Sequence, residues 1–408
     1  MNAPSQASAT RIAAGTPEFH RINRAMVFGG FSTFSLLYCV QPLMPVLAAQ
    51  FGLTPVQSSW VLSISTLALA LSLLISSLLS ERLGRRQMMV FALAMAAFMT
   101  VLCAFSHNYA QLLFLRALLG IALGGMPAVA IAYLGEEIEA TSLGLAIGLY
   151  IAGSAFGGML GRLLVSVLTD YFSWRVALGV MGSAGLYAAW EFWRNLPHAK
   201  NFRAVSVSLQ SFQLGLRQHF SDHGLLLLFA LSFMLMGCFV SLYNYIAYRL
   251  LATPFGLRQS SVGMISLMYL LGIGSSVWIG KLVDRVGRRG VLWIVLAAML
   301  IGLLLTLSSS LWIIIPGIAL YTFGFFASHS VASSWVARRA AAPTALASAI
   351  YLFFYYLGSS LIGSFTGLMW GSHGWAGVVL TLGTILCVGL FITLRLRQVQ
   401  PLAANLAN

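Results

Sequence analysis

Long apolar runs of about 20 residues or more follow one another from residue 25 to residue 395, with short polar breaks between them. A helix needs about 20 mostly apolar residues to cross a bilayer, whereas a membrane-barrel strand alternates polarity over about ten. Only 8% of the 408 residues are charged, against about a quarter in soluble domains. The sequence therefore predicts an all-α integral membrane protein. Its twelve spans are expected at about 25–49, 56–80, 87–106, 110–134, 142–168, 174–194, 224–251, 259–280, 290–308, 311–336, 344–370 and 374–395.

One polar break is much longer than the others and divides the runs into six and six. Residues 1–24 are polar and contain no secretory signal sequence, so a flexible tail is expected there. The scattered apolar residues of 205–216 fit an amphipathic helix on the membrane surface and fit a plain linker equally well. The expected units are a cytoplasmic tail at 1–24, a six-helix bundle at 25–194, a cytoplasmic linker at 195–223, a second six-helix bundle at 224–395 and a cytoplasmic tail at 396–408.

The 23 basic residues set the expected orientation. With the N-terminus in the cytoplasm and the spans alternating, all but five of them fall in cytoplasmic segments, and the positive-inside rule then places both termini there. The sequence therefore predicts a multi-pass protein of the bacterial inner membrane. This bias also accounts for the net charge of +14 without a nucleic-acid partner. The five exceptions are Arg116, Arg162, Arg175, Arg249 and Arg258.

A charged phrase occurs twice, as SERLGRRQMM at 80–89 and VDRVGRRGVL at 283–292. The lag between Glu81 and Asp284 is 284 − 81 = 203 residues. Similar lags recur elsewhere, so the chain is expected to hold two related six-helix halves. Because each half has an even number of spans, the repeats are parallel, and such transporters hold substrate between the halves. The further matches, at lags of 201 to 205, are Gly153–Gly157 with Gly358–Ile362, Trp174 with Trp375 and Gly182 with Gly383.

The second phrase, together with Gly280 before it, resembles the loop signature of the major facilitator superfamily of transporters. The first copy departs from that signature, with Ser77 in place of glycine and Glu81 in place of aspartate. The resemblance implies that these loops latch the cytoplasmic side in one conformation. The residues assigned to this latch are Glu81, Arg82, Gly84, Arg85, Arg86, Glu136, Glu137, Gly280, Asp284, Arg285, Gly287, Arg288 and Arg289.

Within this latch, a carboxylate at the end of the fourth span is expected to pair with an arginine of the first loop. The candidate acids are Glu136 and Glu137, and the candidate partners are Arg85 and Arg86. The alternative is a set of solvated charges, in which each exposed pair contributes about 0–1 kcal/mol.

Three spans carry further resemblances. Arg116, alone in the fourth span, is similar to the fourth-helix arginine that the family links to proton coupling, although an arginine reaching to the outer surface fits as well. Gly153, Gly157 and Gly158 are similar to the antiporter signature of drug exporters, which has proline where this chain has serine; close helix packing also explains them. Pro42 and Pro45 should break the first span, as in drug–proton antiporters.

Proton coupling needs a group that changes charge, and none of the nine acids lies deep in a span. His329 in the tenth span is the deep titratable residue, because imidazole can change charge near neutral pH. Asp170, at the outer end of the fifth span and near Arg162, is a second candidate. With Arg116, these residues form the expected coupling set.

The expected substrate site is aromatic and neutral, because pockets for small molecules are mostly apolar with a few placed polar groups. Without a buried acid, a neutral or weakly anionic lipophilic compound or a sugar fits better than a cation. Tyr248 is assigned instead to the membrane interface. The predicted binding residues are Tyr38, Gln41, Tyr243, Asn244, Tyr245, Tyr351, Tyr355 and Tyr356.

The function predicted from these features is secondary active transport of a small, drug- or sugar-like molecule by alternating access, as proton-coupled efflux. Import or facilitated passage of a metabolite on the same fold is the first alternative. A membrane enzyme or lipid-handling protein is the second, and the spans lack a catalytic constellation for it. No cofactor, metal, ATP-binding loop or nucleic-acid partner is expected, and the chain is expected to act as a monomer in the bilayer.

Overall fold

The structure is a computed structural model that describes residues 11–202, 209–340 and 344–399. Helices form almost all of these residues, and within them extended pairing is limited to one isolated bridge. The predicted all-α membrane fold is therefore confirmed. The helices of the first half are α1 (Pro17–Tyr38), α2 (Met44–Phe51), α3 (Pro55–Leu83), α4 (Arg85–Ala104), α5 (Tyr109–Leu123), α6 (Pro127–Glu137), α7 (Ala140–Tyr171) and α8 (Trp174–Asn195).

The second half repeats this pattern after a linker helix. Its last element is continuous by hydrogen bonding but turns sharply at Gly374, where φ is 58° and ψ is −145°, so α15 consists of two spanning helices. The elements are α9 (Leu209–Ser221), α10 (His223–Leu251), α11 (Gln259–Gly263), α12 (Tyr269–Val286), α13 (Arg288–Leu305), α14 (Leu311–Arg339) and α15 (Thr344–Gln398).

Ten helical segments among the described residues are long and apolar enough to cross a membrane. The last of them contains the two helices of α15, which makes eleven. The twelfth is α8, a 22-residue helix that is less apolar because Arg175, Glu191 and Arg194 lie within it. The predicted number of spans thus matches the helices found.

Three spans are interrupted in the described part of the chain. The eighth passes through a 3₁₀ stretch at Met264–Met268 between α11 and α12, and the other two are broken at prolines. The first span is broken between α1 and α2 by a short 3₁₀ turn at Gln41–Leu43, next to Pro42 and Pro45, as predicted. Proline cannot donate a backbone hydrogen bond, so it ends a regular helix. The fourth span is broken in the same way before Pro127, between α5 and α6.

Glycines at matching places confirm the internal repeat. Gly84 separates α3 from α4 with φ 89°, and Gly287 separates α12 from α13 with φ 84°. Both angles lie in the left-handed region that side chains disfavour. A Cβ on Gly157 would lie 2.1 Å from the carbonyl oxygen of Phe31 in α1, and one on Gly358 would lie 2.0 Å from that of Phe233 in α10.

These contacts correct one alignment made from the sequence. Matching Gly153–Gly157 to Gly358–Ile362 placed the lag at 205 residues. Gly157 and Gly358 instead make the same contact in each half, so the lag here is 358 − 157 = 201. The residue types in the two segments are too alike for sequence matching to fix the register, whereas the closest backbone approach fixes it.

The N-terminal segment is bound rather than loose from residue 11 onward. The N–H of Ile12 donates to the carbonyl of Glu137, and the N–H of Glu139 donates back to the carbonyl of Ile12. Thr16 then caps α1, which begins eight residues before the predicted span. The flexible tail predicted for residues 1–24 is therefore wrong for residues 11–24, because backbone pairing to the end of α6 holds the chain.

The linker contains helix α9, so a helix was the better of the two alternatives for part of it. His219 is buried, and Phe220 contacts Phe229 and Phe354 of the second half. Residues 203–208, which hold part of the predicted amphipathic stretch, lie outside the described residues. The helix thus packs onto the second half through one face.

Candidate functional site

The bundle has two ends, which differ in charge. We call the end that carries Gly84 and Gly287 the loop face, and the other end the opposite face. The predicted latch lies at the loop face. Its first copy contains an ion pair, in which Nη2 of Arg85 donates to Oε1 of Glu136 at 2.8 Å. Arg85 is 7% exposed and Glu136 26%, so the predicted pairing is confirmed.

The neighbouring latch residues bind backbone groups. Arg86 donates to the carbonyls of Trp193 and Leu196 at the end of α8. Glu137 is buried and accepts a hydrogen bond from the N–H of Asn201. Arg82 is exposed. The first loop is thus tied to the ends of α6 and α8 within its own half.

The second copy of the latch is bonded differently. Arg288 is 3.4 Å from Oγ of Ser334, and Arg289 donates to the carbonyl of Arg397 at 3.2 Å. Gly280 and Arg285 are exposed. The side chains of Glu81 and Asp284 lie outside the described residues, so their latch role stays a prediction.

The two halves carry opposite charges at equivalent positions near the ends of α6 and α14. Glu136 corresponds to Arg339 at the lag of 203, and Arg339 donates to Oδ1 of Asp222 at 2.7 Å. At the loop face, the ion pair of the first half thus uses an acid on α6, and that of the second half uses a base on α14 and an acid before α10.

Arg116 is an interior residue with 1% exposure. Its Nε, Nη1 and Nη2 donate to the carbonyls of Val61, Leu36 and Leu37, at 3.1, 3.0 and 2.6 Å. The interior position expected for it is confirmed, and the alternative of an arginine reaching the outer surface is wrong. All three guanidinium nitrogens bind the first half, so Arg116 ties α5 to α1 and α3.

The two halves are hydrogen-bonded to each other toward the opposite face. At the break in the first span, Gln41 donates to Oδ1 of Asn244 at 2.7 Å and to the carbonyl of Val240 at 3.1 Å. Between α3 and α15, the hydroxyls of Ser63 and Ser364 are 3.0 Å apart. These bonds hold α1 and α3 of the first half against α10 and α15 of the second.

Two predictions from the sequence are wrong at this interface. Tyr248 was assigned to the membrane interface, but its hydroxyl is 2.5 Å from Oγ of Ser58 and donates to the carbonyl of Met44. Asp170 was placed near Arg162, but its carboxylate binds Ser260 at 2.6 Å and Arg258 at 3.3 Å. In both cases the side chain binds residues of the other half instead of the expected neighbours. A contact between distant segments of this kind cannot be recognised from a pattern along the chain.

Arg162 lies at the centre of the interface and is 4% exposed. Its Nε donates to Oε1 of Gln41 and its Nη1 to the carbonyl of Gly158, both at 2.5 Å. Three tyrosine rings surround the guanidinium carbon. Their centroids lie 4.4 Å away for Tyr38, 5.0 Å for Tyr269 and 5.9 Å for Tyr243. We call these five residues, Tyr38, Gln41, Arg162, Tyr243 and Tyr269, the central cluster.

An aromatic wall leads from the central cluster to His329. Phe239 contacts Tyr243 and Tyr269, and it stacks on Phe325 with 3.7 Å between centroids. Phe325 in turn stacks on the imidazole of His329. The imidazole is hydrogen-bonded through Nδ1 to the hydroxyl of Tyr351 at 2.9 Å.

The predicted binding residues therefore fall into separate groups. Tyr38, Gln41 and Tyr243 belong to the central cluster, and Asn244 adjoins it through Gln41. Tyr351 and Tyr355 surround His329, the latter with 4.7 Å between ring centroids, and Tyr356 packs on Tyr355. Tyr245 lies apart and donates to the carbonyl of Gly363 at 2.7 Å.

The three glycines of α7 play different parts. Gly153 and Gly157 face the backbone of α1, where a Cβ would lie 2.6 Å from the carbonyl oxygen of Val27 or 2.1 Å from that of Phe31. Gly158 instead faces the guanidinium of Arg162, 3.2 Å from an added Cβ. Its lack of a side chain leaves room for the arginine.

The opposite face has a broad depression of about 540 Å³, lined by Pro45, Val46, Ala49, Gln50, Leu251 and Gln259. Deeper in, a cavity of about 20 Å³ touches Gln41, Pro42, Arg162 and Tyr243, and it has room for about one water molecule. Between them Gln259 donates to the carbonyl of Pro42 at 2.7 Å. The central cluster is thus closed toward this face.

Sequence reasoning missed Arg162, Tyr269 and the phenylalanines of the wall as site residues. A signal for Arg162 was available, because an arginine in the middle of an apolar span is costly and needs a role. Phe325 and Phe326 stand in an aromatic run, FGFF, in the tenth span. Among the described residues, no group of three His, Cys, Asp or Glu side chains is placed to hold a metal ion.

Comparison with known proteins agrees with this architecture. A family model described as Major Facilitator Superfamily matches residues 26–363. The inner membrane transport protein YnfM of Escherichia coli (strain K12) is 46% identical over 387 residues, which cover 95% of this chain and 93% of that protein. The MFS-type transporter YybF of Bacillus subtilis (strain 168) is 43% identical over 384 residues, 94% of this chain and 95% of that one.

The fold also matches solved structures. A bacterial homologue of the human lysosomal transporter Spinster, crystallised in an inward-facing and unoccupied conformation, aligns with a TM-score of 0.78 at 15% identity. The alignment covers 94% of this chain and 98% of that one. At this identity the likeness concerns the fold alone.

Proposed function

This chain belongs to the major facilitator superfamily, as its paired loops predicted, and we propose that it exports a small organic molecule from the cytoplasm in exchange for protons. It is a multi-pass membrane transporter, and its relatives are transporters rather than enzymes. The small organic substrate, the outward direction and the proton as coupling ion are the parts that we propose.

The observation that carries the proposal is the buried polar cluster between two pseudo-symmetric halves. Gln41 of the first half bonds Asn244 of the second, and Arg162 of the first half is surrounded by rings from both. A polar site between rigid halves becomes accessible from either side when the halves rock, which is alternating access. A conformation that is closed at the opposite face is one of the two conformations that such a cycle requires.

The loop face is assigned to the cytoplasm, because positive residues concentrate there. Both termini then lie in the cytoplasm, and the opposite face is periplasmic. The units proposed for this motion are the predicted bundles, 25–194 and 224–395, connected by the linker 195–223. The closed periplasmic side leaves the cytoplasmic side as the entry for a substrate that is exported.

Outward transport is supported by the resemblance of Gly153, Gly157 and Gly158 to the exporter signature. Their close approach to α1 would transmit the movement of one helix to the other. Protons are supported by His329, a titratable side chain bonded to Tyr351 at the end of the aromatic wall. Asp170 and Arg116 remain coupling candidates, although both are occupied by structural partners in this conformation.

Counterflow in inside-out vesicles tests direction and coupling together. Ligands would first be sought by thermal-shift screening of the purified protein against sugars and drug-like compounds. Inside-out vesicles should accumulate a labelled ligand when their interior is acidic, and a protonophore should abolish the accumulation. Accumulation in right-side-out vesicles with an acidic exterior would instead establish import. Counterflow at the same rate with and without a proton gradient would establish a facilitator.

A further inference from the structure

We propose that the substrate is an organic anion whose carboxylate binds Arg162 at the centre of the interface. This inference rests on the proposed transport function and names the chemical class that the site selects. The sequence prediction left a neutral or weakly anionic ligand open and did not include Arg162 among the binding residues.

The first argument for an anionic ligand is the buried charge of Arg162. Asp170, the acid on the same helix, lies two turns away and is bound by Arg258 and Ser260 of the other half. Among the described residues no carboxylate lies within salt-bridge distance of Arg162, and its direct partners are neutral. Burying an uncompensated charge is costly, so such a charge is retained where it has a ligand or a path to serve.

Arg116 is a natural comparison, because it too is buried without an acid. All three of its nitrogens bind backbone carbonyls of its own half. Arg162 has only two bonded nitrogens, and its Nη2 donates to no described residue. One of its two acceptors, Gln41, is a side chain that can move. Arg116 is therefore satisfied by the fold, and Arg162 is not.

A second unpaired donor adjoins the same residues. Nδ2 of Asn244 is fully buried and has no acceptor among the described residues. Its Oδ1 accepts from Gln41, whose own carbonyl accepts from Arg162. The site thus has more donors than acceptors, which favours a ligand that supplies oxygen lone pairs and negative charge.

Gln41 occupies the place that the anion would take. Its amide oxygen lies 2.5 Å from Nε of Arg162, as one oxygen of a bidentate carboxylate would, and the free Nη2 would receive the other. A ligand bound in this way displaces the amide and weakens its bonds to Asn244 and Val240. Those bonds connect the halves, so anion binding would favour opening of the closed periplasmic side.

The rings around Arg162 indicate the rest of the ligand. Tyr38, Tyr243 and Tyr269 present apolar faces around the guanidinium, and Phe239 continues this surface toward Phe325. Such a surface suits a flat apolar body, because aromatic rings contact one another favourably face to edge or with an offset. A monocarboxylate with an aromatic or aliphatic body fits both features.

Binding of simple carboxylates to the full-length protein in lipid nanodiscs tests the inference. The probes are benzoate, 4-hydroxybenzoate and butyrate, each compared with its neutral amide of the same shape. At least one acid should raise the unfolding temperature while its amide does not. Radiolabelled probe should then bind Arg162→Gln at least about tenfold more weakly than the native protein, and Arg162→Lys should retain part of the affinity.

Arg249→Gln is the matched control, because Arg249 is bonded to backbone carbonyls near the end of α13, including that of Ser308, and loses the same charge. The affinity of Arg249→Gln for the labelled acid should equal that of the native protein. The inference is overturned if no acid binds, if the amides bind equally well, or if Arg162→Gln binds as the native protein does. A large fall in the stability of Arg162→Gln without ligand would also contradict it, because that result would make Arg162 a structural residue. Transport of a neutral ligand by the native protein would refute the anion while leaving the proposed function intact.

Discussion

Gln41 donates a 2.7 Å hydrogen bond to Asn244, which is 203 residues further along the chain. The matching contacts of Gly157 with Phe31 and of Gly358 with Phe233 set the lag between α1 and α10 at 233 − 31 = 202 residues. Gln41 therefore corresponds to Tyr243 and bonds the residue next to its own equivalent. Equivalent residues of a two-fold repeat, and their immediate neighbours, can touch only near its axis. The bond therefore marks the pseudo-two-fold axis of the transporter.

The site beside this axis is asymmetric. At the lag of 201 residues that relates Gly157 to Gly358, Arg162 corresponds to Gly363. A Cβ on Gly363 would lie 3.4 Å from Nδ2 of Asn244. The duplicated helices thus provide the frame, and one half provides the charge.

Breaking the Arg85–Glu136 pair should weaken the loop face. The pair is largely buried, so its coupling energy in a double-mutant cycle should be about 1–3 kcal/mol. Arg85→Gln and Glu136→Gln would each lower the free energy of unfolding and slow transport, and the double variant should lose less than the sum of both. The exposed pair Lys200–Glu18, whose side chains are 53% and 34% exposed, is the control, with a coupling of about 0–1 kcal/mol. Equal coupling in both cycles would contradict a latch.

Stability should depend on pH through Asp222. Partial burial works to raise the pKa of Asp222, but the bonds from Arg339 and from backbone N–H groups outweigh it and hold the pKa below its usual range. Its contribution is therefore present above the ordinary pKa of about 4 and is lost as the pH falls through the lowered value. Asp222→Asn keeps a helix cap and removes the charge. In unfolding titrations, the variant should be less stable than native at pH 7, and the difference should shrink toward pH 3. A constant difference would show that the charge plays no part.

Replacing Arg116 should damage the fold. Its planar guanidinium reaches three carbonyls at once, and the single ammonium of lysine cannot reproduce that geometry. We expect Arg116→Lys to lower the free energy of unfolding by about 2–5 kcal/mol, measured by denaturant titration in mild detergent. Arg162→Lys should be much less damaging. If Arg116→Lys were stable but lost the proton dependence of transport, the coupling role suggested by the family resemblance would be favoured instead.

His329 should set the pH dependence of transport if it carries the coupled proton. His329→Gln removes the titrating group and keeps hydrogen-bonding capacity, so transport rates between pH 6 and pH 8 should become flat. Tyr351→Phe removes the hydroxyl bonded to Nδ1 and should shift the midpoint of the profile without flattening it. A native profile in His329→Gln would transfer the coupling role to another residue.

The fold was largely predictable because lipid imposes strict rules on a chain. Helices that cross a bilayer need long apolar runs, prolines interrupt them, and positive residues mark one side. The duplicated loops at Gly84 and Gly287 then identified the halves. Each of these features lies within a short stretch of sequence, so one sequence suffices to recognise it.

The candidate site was only partly predictable, because it depends on contacts between distant segments. Tyr38, Gln41 and Asn244 were found as polar or aromatic residues in otherwise apolar spans. Arg162 was not assigned to the site, and Asp170 on the same helix was expected to lie near it. Arg258 of the other half binds Asp170 instead, and that leaves Arg162 without a counter-charge.

Locking the halves together toward the opposite face tests the central claim most directly. In a chain whose four native cysteines are replaced, Ser63→Cys with Ser364→Cys would join α3 to α15, where the hydroxyls are 3.0 Å apart. The control, Ser241→Cys with Thr366→Cys, joins α10 to α15 within one half, where the hydroxyls are 3.2 Å apart. If the halves rock about the Gln41–Asn244 axis, oxidation should stop transport by the first variant, reduction should restore it, and the control should transport throughout. Full transport by the oxidised Ser63–Ser364 variant would contradict alternating access between these halves.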